Sequence, residues 1–235
     1  MQSVWEKRMT QNQLKTVAAI AMMADHIGAE LFPRIILLRV IGRLAFPIFS
    51  YFLYEGFHYT SNKKKYFFRL FFLGMVCVAG YYIYSGELYG NVLITFSASI
   101  VVLYGIGILR HSIDGSITDK IYALLLVGTC LAIIWLINTW IYIDYGMIGI
   151  LLPAFAELTS MWNKKRNQYM ALAGFSAGLL LLAIQMGGVQ YFSILAIPLL
   201  CFYNGQRGER NLKKFFYWFY PVHLAAIGML AMIMG

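Results

Sequence analysis

Asp25 and His26 stand side by side in an apolar run that begins at Leu14 and ends at Phe32-Pro33. Ionisable groups in such a run are expensive unless paired or hydrated, so they are the first place to look for function. Lys15 precedes His26 by eleven positions, three helical turns, which puts both on one face about 16 Å apart. The next apolar run carries Arg39 and Arg43, an i, i+4 pair on a single face. If the two runs are antiparallel helices, His26 lies roughly 9 Å from their shared end, and the arginines lie about 6 and 12 Å from it. A carboxylate, an imidazole and two guanidinium groups then meet at one level. An imidazole there can act as a general base, and fixed guanidinium groups can hold an anion or stabilise developing negative charge. The plainer alternative is a lock: Asp25 pairs with Arg43, His26 completes hydrogen bonds, and Arg39 snorkels to the interface. A lock needs only Asp25 and Arg43, which leaves His26 and Arg39 without a role.

A second constellation closes the chain. Tyr220 and His223 are i, i+3 neighbours beside Tyr217 and Pro221, at the start of the last apolar run. A third set, Tyr51, Glu55 and His58, shares a face at the end of the second run, where a solvated interface is the expected setting. Arg69, in the first turn of the third run, is expected to snorkel. Asn91, Thr95 and Ser99 form an i, i+4, i+8 stripe of the kind that packs helices. Asp144-Tyr145-Gly146 opens the sixth run, where Asp144 serves either as an interfacial cap or as compensation for Arg39. Cys77, Cys130 and Cys201 sit in apolar runs without metal-like spacing and are expected to be buried small hydrophobes. No HExxH, Walker sequence or soluble catalytic triad is present, and no metal site is expected.

The elements that must position these groups follow from composition. Of 235 residues, 60% are hydrophobic and 12% charged, with mean hydropathy +0.67. A soluble domain carries about a quarter of its residues as charges. Nine apolar segments are legible: 14–32, 35–54, 66–84, 91–109, 121–139, 145–159, 169–186, 190–204 and 215–234. The sixth and eighth are short and open to a tilted or re-entrant arrangement. The net charge of +9 reads as a topology signal rather than as affinity for nucleic acid. With the N-terminus inside, Lys7, Arg8, Lys15, Lys63, Lys64, Lys65, Arg110, Lys120, Lys164, Lys165, Arg166, Arg207, Arg210, Lys213 and Lys214 all fall on the inner side, and only Arg34 falls outside. The expectation is an all-α, polytopic transmembrane helical bundle of about nine spans. Its N-terminus is cytoplasmic, and residues 1–235 form a single domain in the lipid bilayer. The first run lacks a small-residue cleavage site and is expected to remain in the mature protein.

These same residues carry a resemblance. The run from Lys15 to Gly28 ends in Met23-Ala24-Asp25-His26-Ile27-Gly28 and resembles the opening of the TraX family. Residues Ile41 to Phe49, Glu55-Gly56-Phe57, Asn91 with Thr95, Asp144-Tyr145-Gly146, and Tyr220-Pro221-Val222-His223-Leu224 resemble it in turn, in order. The family is named for a conjugative pilus protein that acetylates the N-terminus of pilin. It is grouped with integral-membrane acyltransferases of the acyltransferase-3 type. The resemblance implies an acyltransferase of the bacterial inner (plasma) membrane, with cytosolic acetyl-CoA as donor co-substrate and a peptide or glycan acceptor. The wider group commonly has Arg where this chain has Lys15, a point charge without the bidentate fork.

On that reading a neutral His26, oriented by Asp25, takes a proton from the acceptor. Arg39 and Arg43 stabilise the thioester oxyanion or hold an anionic part of a substrate. Lys15, with Lys63 to Lys65, attracts the phosphates of acyl-CoA, and Tyr220 and His223 line the passage from the cytoplasm. A transient acyl-histidine at His26 is the alternative mechanism. The alternative function is a transporter or export accessory that uses the same cluster as a relay. Nothing resembling inverted repeats supports it.

Overall fold

The computed structural model describes residues 9–160 and 167–234. The basic residues Lys7, Arg8, Lys164, Lys165 and Arg166, counted above on the inner side, lie outside the described residues. The chain is all-α: α1 (Gln11–Glu30), α2 (Ile36–Gly42), α3 (Ala45–Tyr59), α4 (Lys63–Ser85), α5 (Val92–Ser112), α6 (Ile117–Trp140), α7 (Gly146–Ser160), α8 (Gln168–Met186), a 3₁₀ segment (Gly188–Leu195), α9 (Ala196–Cys201) and α10 (Lys213–Met234). Each of the nine apolar segments coincides with one helical element or one broken pair. Among the described residues, six stretches are long and apolar enough to cross a membrane: Ile36–Tyr59, α4, α5, α6, α8 and α10. Helix α7 and Gly188–Cys201 are shorter. At 15 residues, α7 is about 22 Å long against a hydrocarbon core of about 30 Å. Helix α1 has length enough, but its polar residues dilute its apolar character.

Helix ends follow from sequence. Thr10 and Gln13 close a capping box on α1 and Ser116 with Asp119 closes one on α6, while Asn62 caps α4. Gly86, at φ 74°, ends α4 in the left-handed region that favours glycine. The second apolar segment breaks at Arg43-Leu44. Pro47, in the first turn of α3, has no N–H to offer the Arg43 carbonyl, so the helix restarts rather than continues.

The chain divides into two compact units, one from Met1–Phe52 with Ala183–Gly235, the other from Leu53–Leu182. In the first, α1 packs on α2 and α10, and α2 packs on the 3₁₀ segment. Gly28 and Gly42 let α1 and α2 approach closely. A Cβ on Gly28 would stand 2.7 Å from Leu38 Cβ, and one on Gly42 would collide with the Asp25 side chain. In the second unit α5 packs on α4, α6 and α7 around Val102, Ile106, Ile134, Ile150 and Ala154. The stripe on α5 works as a packing device: Asn91 Nδ2 donates to Gly74 O (2.9 Å), Thr95 Oγ1 to Asp144 O (2.7 Å) and Ser99 Oγ to Ile150 O (2.7 Å). The short parallel strands Tyr89–Gly90 and Tyr142–Ile143 pair beside it. Long helices turn Leu124, Leu125, Phe72, Val76 and Ile233 outward. In a membrane protein such faces meet lipid.

Candidate functional site

In the first unit, the Arg43 guanidinium at the α2–α3 break binds Asp25, Gln190 and Arg39. Its Nη2 donates to Asp25 Oδ1, its Nη1 to Gln190 Oε1 (3.2 Å), and its Nε to Arg39 O (3.2 Å). Arg39 Nη1 reaches Asp25 Oδ2 at 3.0 Å and the Asp25 backbone oxygen at 3.1 Å. One carboxylate thus bridges two guanidinium groups, and the three residues together carry one net positive charge. Arg43 is buried, while a third of the Arg39 side chain is exposed.

This geometry corrects one expectation. Asp25 commits its carboxylate oxygens to the arginines rather than to His26. Successive helical residues point about 100° apart, so a carboxylate turned toward α2 leaves the next side chain facing elsewhere. The His26 ring faces α10 instead, with its centroid 5.1 Å from that of His223 and 6.4 Å from that of Tyr220. The two constellations that looked separate in sequence, one opening the chain and one closing it, meet at His26.

His223 is fixed in its turn. Its Nδ1 lies 2.7 Å from the Phe219 carbonyl, one turn back, and its ring stacks on Phe219 with centroids 4.8 Å apart. A carbonyl only accepts, so Nδ1 carries the proton. A neutral His223 therefore keeps its lone pair at Nε2, which is buried and has no partner among the described residues. Pro221 sits more than two turns into α10, and lacking an N–H it cannot bond the Tyr217 carbonyl.

Lys15 lies at the other end of α1. Its ammonium sits 5.6 Å from the Phe52 ring centroid and 6.0 Å from that of Phe216, within cation–π range. Arg207 and Lys213 add positive charge there. The segment bearing Arg207 is tied to the start of α1: Gln11 N donates to Gln206 O (2.9 Å), Asn12 N to Arg207 O (3.2 Å) and Asn12 Nδ2 to Arg210 O (2.6 Å). Three cations thus gather beside two aromatic faces. Arg207 and Lys213 entered the sequence reading only as topology markers, because nothing in their spacing ties them to Lys15.

The second unit holds another polar assembly at Glu55 and His58, and burial overturns the expectation of a solvated interface for both of them, as it does for Tyr51 in the first unit. Tyr51 is fully buried and Glu55 is 3% exposed. His58 Nε2 stands 2.5 Å from Oε2 of Glu157, itself buried on α7. Sequence reasoning missed Glu157 altogether. The signal was available, since it is a carboxylate inside the sixth apolar segment. Gln190 was missed for a different reason: an uncharged amide at a segment end attracts no notice. Asp144 hydrogen-bonds the Tyr89 hydroxyl, and burial with that carboxylate pushes the Tyr89 phenol up from its ordinary range.

The family described as TraX protein matches residues 10–231. The chain belongs to the TraX family. A probable fimbrial assembly protein, FimC of serogroup H1, from Dichelobacter nodosus is 33% identical over 243 residues, covering 92% of this chain and 93% of that protein. An uncharacterized protein from Rickettsia prowazekii (strain Madrid E) is 30% identical over 165 residues, covering 69% of this chain and 61% of that protein. No solved structure matches. The TraX family match runs from the capping residue of α1 to the last turns of α10. It therefore takes in His26, the arginine pair and His223 together.

Proposed function

We propose that this TraX-family chain is an acetyltransferase of the bacterial inner membrane, moving acetyl from cytosolic acetyl-CoA to an amine or hydroxyl of a peptide or glycan acceptor. A fimbrial-type subunit with a free α-amine is the acceptor class that the fimbrial relative favours. The observation that carries this reading is the meeting of His26 and His223 from opposite ends of the chain, in the unit that also holds the Asp25-bridged arginines.

The reaction needs four things. The acceptor nitrogen must lose a proton as its lone pair forms the N–C bond to the thioester carbonyl carbon. The carbonyl π pair must rest on oxygen, and the C–S bond must then break to release CoA thiolate. A base must carry the proton to that sulfur. His26 takes the proton, and His223 Nε2 is the acceptor beside it. The net positive charge of Asp25, Arg39 and Arg43 favours the oxyanion. Lys15, Arg207 and Lys213 draw the CoA phosphates to the inner surface, and Tyr220 lines the approach to His26. Nine spans with a cytoplasmic N-terminus give the matching topology.

The test uses purified full-length protein, labelled acetyl-CoA and a peptide with a free α-amine. Label should pass to the amine with release of CoA. His26→Gln keeps polar contacts but cannot take the proton, so it should lose turnover while remaining monodisperse. Absence of both acetyl-CoA binding and transfer in the wild type would leave the transporter alternative. Full turnover in His26→Gln would pass the base role to His223.

A further inference from the structure

The 3₁₀ segment Gly188–Leu195 carries two buried polar side chains that the scheme above does not use. Gln190 is 2% exposed and Ser193 is fully buried. Side chains three residues apart eclipse one another in a 3₁₀ helix, so the two share a face. Gly187 and Gly188, at φ 65° and 54°, let the chain turn sharply out of α8 into this segment.

The orientation of Gln190 follows from chemistry. A guanidinium only donates, so the amide oxygen must face Arg43 Nη1 and the NH₂ group must point away from it. Nε2 of Gln190 is then a buried donor without a partner among the described residues, and the Ser193 hydroxyl is another. A buried donor left unpaired is costly. Two on one face, one of them on the amide whose oxygen accepts from Arg43, suit a ligand oxygen better than they suit packing.

The character of that oxygen can be narrowed. Asp25 lies closer to Arg43 than to Arg39, so the excess positive charge falls on the more exposed Arg39, and the two unpaired donors beside Arg43 are neutral. A permanent anion would ask for more positive charge than this. An oxygen that is neutral in the substrate and negative only in the transition state is the better match. We propose that Gln190 Nε2 and Ser193 Oγ donate to the carbonyl oxygen of the acyl thioester and hold it as it becomes an oxyanion.

This inference rests on the acyl-transfer reading and adds to it. As the acceptor nitrogen bonds to the carbonyl carbon, the π pair moves onto the oxygen between Gln190 and Ser193. The pair returns as the C–S bond breaks, thiolate leaves, and the proton from nitrogen reaches sulfur through His26.

Gln190→Glu and Ser193→Ala test it in the full chain. Glu keeps an oxygen for Arg43 and removes the donor; Ala removes only the hydroxyl. Single-turnover acetyl transfer to a peptide amine gives the chemical rate, and titration with CoA gives donor affinity. Gln190→Glu and Ser193→Ala should each lose about 10²-fold in rate, on the scale of oxyanion donors elsewhere. CoA affinity should stay within about twofold of the wild type, because a transition-state contact leaves ground-state binding alone.

If Gln190 only positioned Arg43, Glu would serve as well or better. Full turnover in Gln190→Glu with Ser193→Ala also unimpaired overturns the inference and leaves acyl transfer standing. Should Gln190→Glu fail to fold, Ser193→Ala decides alone, its unchanged rate counting against the inference. A wild-type protein that neither binds acetyl-CoA nor transfers acetyl overturns the acyl-transfer reading, and this one with it.

Discussion

Replacing Asp25 separates its lock from its proposed part in catalysis, and the structure sets the magnitude. Its carboxylate is shared between Arg43, whose side chain is 9% exposed, and Arg39, whose side chain is 33% exposed. Removing one partner of a fully buried ion pair costs about 3–5 kcal/mol, because a charge is left unmet. Arg43 keeps Gln190 Oε1 and the Arg39 carbonyl when Asp25 is gone. A coupling of about 2–3 kcal/mol between Asp25 and Arg43 follows from that reduced loss. For the half-solvated Arg39 screening lowers the figure to about 1 kcal/mol or less. Two double-mutant cycles measure both: Asp25→Ala with Arg43→Ala, and Asp25→Ala with Arg39→Ala, each followed by denaturant unfolding in mixed micelles. A coupling with Arg43 below about 0.5 kcal/mol, or smaller than that with Arg39, would refute the assignment of Arg43 as the buried partner. Turnover gives an independent readout. Asp25→Asn should lose stability and activity together, since an amide NH₂ would replace one of the two accepting oxygens and face a guanidinium donor. An Asp25→Asn protein with wild-type stability and no activity would return Asp25 to His26.

Lys15→Ala should weaken acetyl-CoA binding more than it slows transfer, and more strongly at low salt, where screening is least. Calorimetry at two ionic strengths checks this, and adding Arg207→Ala should weaken binding further; equal affinity throughout would remove the cluster from the donor site. In the second unit, His58→Ala and Glu157→Gln should each lower the unfolding midpoint by a few degrees. The double variant should cost little more than either alone, because the pair is one interaction; strict additivity would show that the two act separately. For topology, a cysteine at Ser61 in a cysteine-free background should be shielded from impermeant reagents in intact cells while one at Glu87 reacts. Equal labelling at the two sites would break the alternation that nine spans require.

The helical class and the position of every apolar element were legible in the chain, because hydrocarbon sets both length and composition for a spanning helix. A run of about 20 apolar residues is a local signal that needs no tertiary information. The break at Arg43-Leu44 has a local cause in Pro47, although the sequence reading took 35–54 as one continuous segment. The cost of an ionisable group in lipid singled out Asp25, His26, Arg39, Arg43 and His223 without any structure. The same rule would have found Glu157 had the sixth segment been read for charge as well as for length.

What each of those groups does depended on contacts between residues far apart in sequence. Asp25 and His26 are neighbours in the chain, yet one turns to α2 and the other to α10, because adjacent helical side chains diverge by about 100°. Sequence placed His26 and His223 nearly two hundred positions apart, and only the packing of α1 on α10 brings their rings within 5.1 Å. His58 and Glu157 meet across 99 positions in the same way. Gln190 carries no charge for hydropathy to detect. Its unpaired donor exists only because Arg43, 147 residues earlier, takes the other end of the amide.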